Sequence, residues 1–207
     1  MKRTILQQSF LVISFFSLYA QEFSMTKWHS EGIIDLISGE TLYGTLKYDL
    51  ENNQLFLVND SLNKTFSPRN ATAFQFRDAI TGKTRFFFSL EFKNSNGQIE
   101  KMFFELLFDG KALSLLSRER ILERIEVINN PFFPATRSYR VYFLQYDFYV
   151  MNQYAEIFYC GNLLNDLLKV LPKQKQEIKN YIKHYKLNTT VPEDMIKIVQ
   201  YYNQLEH

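Results

Sequence analysis

The chain is poor in the residues on which small exported domains and metalloenzymes usually depend. Its 207 residues include one cysteine, five prolines, seven glycines and three histidines. A lone thiol, Cys160, rules out an internal disulfide, so core packing has to hold the fold. Cys160 is expected to pack as a small apolar side chain, because a nucleophilic role needs a histidine close by. His29, His184 and His207 are scattered along the chain and make no metal-ligand spacing with Cys160. The segment Asp78-Ala79-Ile80-Thr81-Gly82 has too few acids for a calcium loop. Neither a glycine-rich phosphate loop nor a GxSxG elbow occurs. These absences point to no cofactor, no metal and no assignable catalytic residue, and they lean against an enzyme. The scarcity of proline and glycine also argues against a disordered or low-complexity chain.

Charge of one sign is lacking as well. With 24 basic and 22 acidic residues, the chain carries no electrostatic footprint for nucleic acid and no polybasic membrane patch. Residues 1–20 have the three parts of a cleaved export signal: Lys2 and Arg3 at the start, an apolar stretch from Phe10 to Ala20, and small Ala20 ahead of Gln21. Leu18, third from that cut, is larger than the ideal. The apolar stretch is shorter than the roughly 20 residues that span a bilayer. No cysteine follows it to carry a lipid. The expected protein is exported to the periplasm, cell surface or medium, without a transmembrane segment after signal removal. Losing Lys2 and Arg3 makes the mature chain neutral.

What is abundant is aromatic: 20 Phe, 13 Tyr and one Trp, 16% of the chain. Such residues favour pleated, half-buried surfaces. Between about Trp28 and Val127 the apolar period is two. Leu42, Gly44, Leu46 and Tyr48 share a face, as do Phe86, Phe88, Leu90 and Phe92, and again Phe104, Leu106 and Phe108. Turn sequences such as Ser38-Gly39-Glu40, Thr81-Gly82-Lys83 and Asn94-Ser95-Asn96-Gly97 separate these runs. The expected fold is α+β: an antiparallel β meander over 21–128, curled into a barrel or sandwich, followed by a C-terminal three-helix segment. Residues 112–128 fit a helix or a strand, and strands over 112–117 and 122–128 are favoured. A proline-containing connection spans 129–137, since Pro131 and Pro134 oppose both helix and central strand. A long hairpin follows over 138–160.

Over 161–207 the period turns helical. Leu163, Leu164, Leu167, Leu168 and Leu171 form one stripe and Ile178, Tyr181, Ile182 and Tyr185 a second. Thr190-Val191-Pro192-Glu193 has the spacing of a capping box. It opens a third helix that carries Met195, Ile198, Val199, Tyr202 and Leu205.

The segment Gly32 to Asn59, with its Ser38-Gly39 turn, Gly44, Asp49 and Asn53, resembles the first half of an Sm-like small barrel. A bent three-stranded meander produces the same pattern, so the resemblance is used for strand topology only. The order of features over most of the chain resembles a family of uncharacterised exported bacterial proteins. Its carriers are the Gly39 to Gly44 hairpin, Phe74-Gln75-Phe76, Phe86-Phe87-Phe88, Phe103-Phe104-Glu105, Leu115-Leu116-Ser117-Arg118-Glu119 and the closing Tyr201-Tyr202-Asn203-Gln204-Leu205. That resemblance implies export and a single structural unit, with no chemistry attached.

Two features invite function. Glu105 shares a strand face with Phe103 and Leu107, and burial of that face would raise its pKa. The structural alternative is a pair with Arg118 or Arg120, or a solvated face. Tyr142, Tyr146 and Phe148 lie on one face of the hairpin strand, where an exposed row would bind a partner or ligand. The alternative is burial beneath the helices. The leading reading is a non-enzymatic envelope protein, a binding or structural module whose partner is a protein or an apolar ligand. A carrier with an aromatic-lined cavity is the second reading. A hydrolase needing Glu105, an Asp and a His in one pocket is the third.

Overall fold

The structure, a computed structural model, describes residues 23, 27–128, 137–161, 164–171 and 173–206. The expected signal segment, with Ala20 and Gln21, and the proline connection up to residue 136 lie outside the described residues. Ten strands form one antiparallel sheet: β1 His29–Leu36, β2 Thr41–Asp49, β3 Gln54–Val58, β4 Asn63–Phe66, β5 Ala71–Arg77, β6 Thr84–Lys93, β7 Ile99–Phe108, β8 Leu113–Ile128, β9 Arg137–Asn152 and β10 Ile157–Gly161. Three helices follow: α1 Leu164–Val170, α2 Lys175–Tyr185 and α3 Pro192–Leu205. The strand order is β10-β9-β8-β7-β6-β5-β1-β2-β3-β4. The chain therefore lays down β1 to β4 as one meander, returns to the free side of β1, and runs β5 to β10 as a second. Among the described residues β4 and β10 have no ladder to each other, so the sheet is open and does not close into a barrel.

Asx chemistry sets the turns. Asp49 Oδ1 accepts the amides of Glu51 and Asn52, Asp78 Oδ1 those of Ile80 and Thr81, Asn94 Oδ1 those of Asn96 and Gln98, and Asn152 Oδ1 those of Tyr154 and Glu156. The N-terminal half bends because Gly32 and Gly44 face each other across β1 and β2. A Cβ on Gly32 would meet Leu46 Cβ at 2.4 Å, and one on Gly44 would meet the Val58 carbonyl at 2.6 Å. The bend carries the β2–β3 hairpin over to β7. There Asn53 Oδ1 accepts from the Tyr48 hydroxyl at 3.0 Å and from the Phe103 amide at 3.3 Å.

The register divides the side chains between two faces. Ile34, Leu46, Tyr48, Leu55, Leu57, Phe66, Phe74, Phe76, Phe87 and Phe103 pack together on the concave face of the N-terminal half. On the same face of the C-terminal half, Leu115, Phe148 and Val150 are covered by Leu167, Ile178, Met195, Ile198, Val199 and Tyr202 of the helices. The opposite face carries a smaller cluster built on Phe104, Leu116 and Tyr149. Phe86 and Phe88 do share a face, the outer one, and Phe87 is the inward ring, because Phe74 pairs with Phe87 across β5 and β6. One expectation needs correction here. Within 112–128 a single strand, Leu113–Ile128, stands where two were expected, because β8 pairs with β9 without a break from Leu113 opposite Asn152 to Ile128 opposite Arg137. A helix there would have forfeited that ladder.

The capping box is also corrected. Val191, in an extended conformation, is the N-cap of α3, with Pro192 as the first helical residue and no side-chain cap. Thr190 Oγ1 instead donates to Asn188 Oδ1 at 2.8 Å. Proline's fixed φ and missing N–H set the start one residue later than the Thr190 pattern implies.

Asn203 clamps the far end of α3 to the sheet. Its Oδ1 accepts the amides of Ala112 and Leu113 at 2.8 and 3.2 Å, and its Nδ2 donates to the carbonyls of Leu113 and Val199, each at 2.8 Å. All four bonds are lost in Asn203→Leu, which leaves the Leu113 amide and carbonyl without those partners. We expect about 2–4 kcal/mol of destabilisation in urea unfolding. Gln204→Leu, one position along on the exposed face, is expected to change stability by less than about 0.5 kcal/mol.

Candidate functional site

Between the two apolar cores of the concave face lies a strip of buried charge. Strand parity puts it there. Phe76 faces Arg85 across β5 and β6, Phe87 faces Glu105 across β6 and β7, Glu105 faces Ser117 across β7 and β8, and Glu119 faces Tyr146 across β8 and β9. Residues two apart on a strand share a face, so Arg85, Glu105, Glu119 and Tyr146 all point inward.

Arg85 is the hub, with its side chain only 11% exposed. Its Nε and Nη2 donate to the two oxygens of Glu105 at 2.7 and 2.6 Å, and Nη2 also donates to Glu119 Oε1 at 2.6 Å. Nη1 lies 3.6 Å from Asp78 Oδ2. The guanidinium sits 5.3 Å from the Phe87 ring centroid and 5.9 Å from that of Phe76, within cation–π range. Burial pulls its pKa down, but the carboxylates of Glu105 and Glu119 outweigh burial and raise it, so it stays charged.

The three acids are used differently. Glu105 gives both oxygens to Arg85, and its Oε2 also accepts from the Ser117 hydroxyl at 3.3 Å. Asp78 holds the β5–β6 turn with Oδ1 and faces Arg85 with Oδ2. Glu119, its side chain 4% exposed, gives Oε1 to Arg85, while its closed-off Oε2, like Arg118 Nε, has no hydrogen-bond partner among the described residues. Burial raises the Glu119 pKa. Arg85 opposes the shift, while Glu105 and Asp78 add to it. The Tyr146 hydroxyl is raised by burial and by the nearby Glu119 charge.

These groups open into a cleft of about 430 Å³ between the sheet and the start of α3. Asp78, Glu105 and Glu119 form its buried floor, Ile80, Leu107, Leu144 and Ile196 its apolar walls, and exposed Lys83 and Glu193 its rim. Phe23 and Tyr146 also line it. On the other side of the cluster, a void of about 10 Å³ lies against Tyr48, Phe103, Arg118 and Glu119, about the space of one water.

Glu105 is 8% exposed, and its partner is Arg85. Arg118 and Arg120 have the opposite strand parity, and Arg120 pairs with Asp147 at 2.5 Å. The row Tyr142, Tyr146, Phe148 divides along its length. Tyr142 is exposed, Tyr146 lines the cleft, and Phe148 is fully buried beneath the helices, so Phe148 is no part of a surface. Asp78 and Glu105 do converge, but His29 and His184 do not join them as cleft-lining groups, and His207 lies outside the described residues. His29 is buried behind the Asp78 turn, accepting the Ala79 amide on Nδ1 at 3.2 Å and stacked 4.1 Å from Phe76. His184 is exposed on α2 against Tyr185. Arg85 and Glu119 were missed in the sequence. The available signal was an arginine at the inward parity of an otherwise aromatic strand. Among the described residues no group of three His, Cys, Asp or Glu is arranged to hold a metal ion, and no helix is long and apolar enough to cross a membrane.

No family model matches the chain, and no match to it was found among curated proteins or solved structures. The cleft geometry therefore carries the functional argument. Chemically the floor offers carboxylates held by one arginine in a partly apolar setting. The hydroxyl bonded to Glu105, that of Ser117, is fully buried and does not line the cleft.

Two outcomes follow from the burial. Cys160 is packed in the helix-side core, and burial pushes its thiol up to about 12. It should resist a maleimide reagent at pH 8 in the native state and react fully in denaturant; rapid native labelling would show that the packing is wrong. For Glu119 the folded pKa lies above the unfolded one. Its ionisation therefore costs stability, a cost absent below the unfolded value near 4.3 and growing as pH rises through the folded value. Glu119→Gln should match the parent near pH 4 and exceed it in melting temperature at pH 7 to 8. A variant less stable at pH 8 than at pH 4, relative to the parent, would reverse the assignment.

Proposed function

We propose that this chain is a non-enzymatic, exported envelope protein that acts as a binding module through the cleft between the sheet and the start of α3. The observation that carries this reading is the cleft itself: about 430 Å³ of space with the carboxylates of Asp78, Glu105 and Glu119 at its floor and apolar walls around them. Buried charge is costly, and here it is gathered at the floor of one opening rather than spread through the apolar cores. In this reading strands β1 to β7 serve as a barrel-like half-shell, a role supported by the contact of Tyr48 with Phe103 at 5.9 Å between ring centroids. The helices form one wall of the site, held in place by Asn203. Export rests on residues 1–20 and places the module in the periplasm, on the cell surface or outside the cell.

The binding reading is favoured over the apolar carrier by the packing of the aromatic half. Phe74 lies 4.4 Å from Phe87 and 5.0 Å from Phe103, centroid to centroid, so rings occupy the space a lipid would need. It is favoured over the hydrolase because the hydroxyl on Glu105, that of Ser117, is buried away from the cleft, and among the described residues no histidine lines the cleft.

The test is a fragment screen of the mature chain with mixed charge classes, read by melting temperature and then by amide hydrogen exchange. Stabilising fragments should protect residues 83–85, 105–107 and 192–196. Protection confined to the groove on the opposite face beside Phe92 and Tyr159, or no binding at millimolar fragment concentration, would overturn the proposal.

A further inference from the structure

We infer that the outer face of the sheet carries a second binding site, a groove beside β9 and β10 that takes a carboxylate borne on a flat six-membered ring. The site lies on the face opposite the cleft and does not depend on the cleft's function.

Strand parity puts a row of rings on this face. Phe92, Tyr149 and Tyr159 all point outward, as do Arg120 and Asp147. Phe92 lies 5.3 Å from Tyr149, and Tyr149 lies 5.2 Å from Tyr159, centroid to centroid. Tyr149 is buried between the other two, while Phe92 is half-buried and Tyr159 is 48% exposed. The row lines a groove of about 510 Å³, a volume in the range of small-ligand pockets. Ring faces of this kind stack against another flat ring.

The polar end of the groove is built around Asp147. Its Oδ1 accepts Arg120 Nη2 at 2.8 Å and the Tyr159 hydroxyl at 3.3 Å, and its Oδ2 lies 2.5 Å from Arg120 Nε. One carboxylate thus holds the guanidinium and the outermost ring side by side. A guanidinium has five N–H donors, and this pair uses one edge of it, Nε with Nη2. The other edge, Nη1 with Nη2, has no further partner among the described residues. The Arg120 side chain is 51% exposed, so that edge is open to a ligand. Two parallel N–H donors in a plane match the two oxygens of a carboxylate.

The charge of the groove has the same sign. Lys93 and Arg120 line it against a single acid, Asp147. Asp166 of α1, whose charge also reaches Tyr159, is paired with Lys169 at 2.8 Å. Glu100, opposite Phe92, accepts from the Asn94 amide at 2.7 Å and does not line the groove. The surplus of one positive charge suits a carboxylate. A phosphate monoester brings close to two negative charges, more than this groove offsets.

The same chemistry has two sources: a free aromatic acid or a uronic acid unit of a glycan. The experiment measures binding of benzoate, benzamide, methyl glucuronide and methyl glucoside to the mature chain by NMR shift titration. We expect each acid to bind about tenfold tighter than its neutral counterpart, the increment of one charge-assisted hydrogen bond. The shifts should fall at residues 92–95, 120, 147 and 157–159. The tighter of the two acids assigns the source. Arg120→Gln should abolish the preference for the acid. That change strands Asp147, so the double variant Arg120→Gln, Asp147→Asn replaces it if the single variant fails to fold, with the same expected loss. Tyr159→Leu should weaken acid and neutral probes alike and keep their ratio.

Equal binding of acid and neutral probe within both pairs overturns the inference, as does an acid preference that survives in the double variant. Acid-induced shifts confined to the cleft beside Lys83 overturn it while supporting the cleft as a site. No binding of any probe at millimolar concentration also overturns it, and leaves the cleft reading to its own screen.

Discussion

The guanidinium of Arg85 is the constraint on which the middle of this protein depends. It ties β6 to β7 through Glu105, β6 to β8 through Glu119, and the β5–β6 turn to both through Asp78. The two rings beneath it, Phe76 and Phe87, belong to the aromatic core. Removing Arg85, the cation at its centre, would leave uncompensated buried carboxylates, which is far more damaging than replacing the whole cluster with apolar groups. The strip is therefore a poor device for stability and a good one for holding carboxylates in fixed positions.

The cleft itself is a consequence of how one sheet face is covered from two ends. At the N-terminal end the Gly32–Gly44 approach curls the sheet onto its own aromatic side chains. At the C-terminal end the face is covered by the helices, whose Ile198, Val199 and Tyr202 pack with Leu115 and Phe148. The two covers leave a cleft at the middle, and the side chains of its floor are buried charges tied together by Arg85. The Asn203 clamp enters here as well. By fixing the far end of α3 to Ala112 and Leu113, it sets where Pro192, Glu193 and Ile196 stand at the cleft mouth.

What was legible in the sequence was local. The Asx turns, the inward face of Leu42 to Tyr48 and the three helices depend on residues within a few positions of one another, and those patterns appear in the chain directly. The charged strip was not legible because its members are joined only by register. Arg85 and Glu119 are 34 positions apart, and a slip of one residue in either ladder would turn one of them outward. Irregular pairing between Leu106 and Phe108 adds a shift that no periodicity count reveals. Glu105 stood out because it interrupts an apolar strand, but its partner depended on parity. Arg118 and Arg120 were nearer in sequence to Glu119 and on the wrong face. Asn203 was visible within Tyr201-Tyr202-Asn203-Gln204-Leu205 as part of a resemblance. Its work as a clamp needed the contact 90 positions away.

The raised pKa of Glu119 follows from the same crowding that holds the strip together. Burial disfavours the charged carboxylate, and Glu105 and Asp78 disfavour it further, while Arg85 opposes the shift. Arg85 is able to do so because the carboxylates of Glu105 and Glu119 outweigh its own burial and keep it protonated. The sharing is unequal: Glu105 takes hydrogen bonds on both oxygens and Glu119 on one. Burial is therefore offset less completely at Glu119, and the cost of gathering three acids around one guanidinium falls on that side chain.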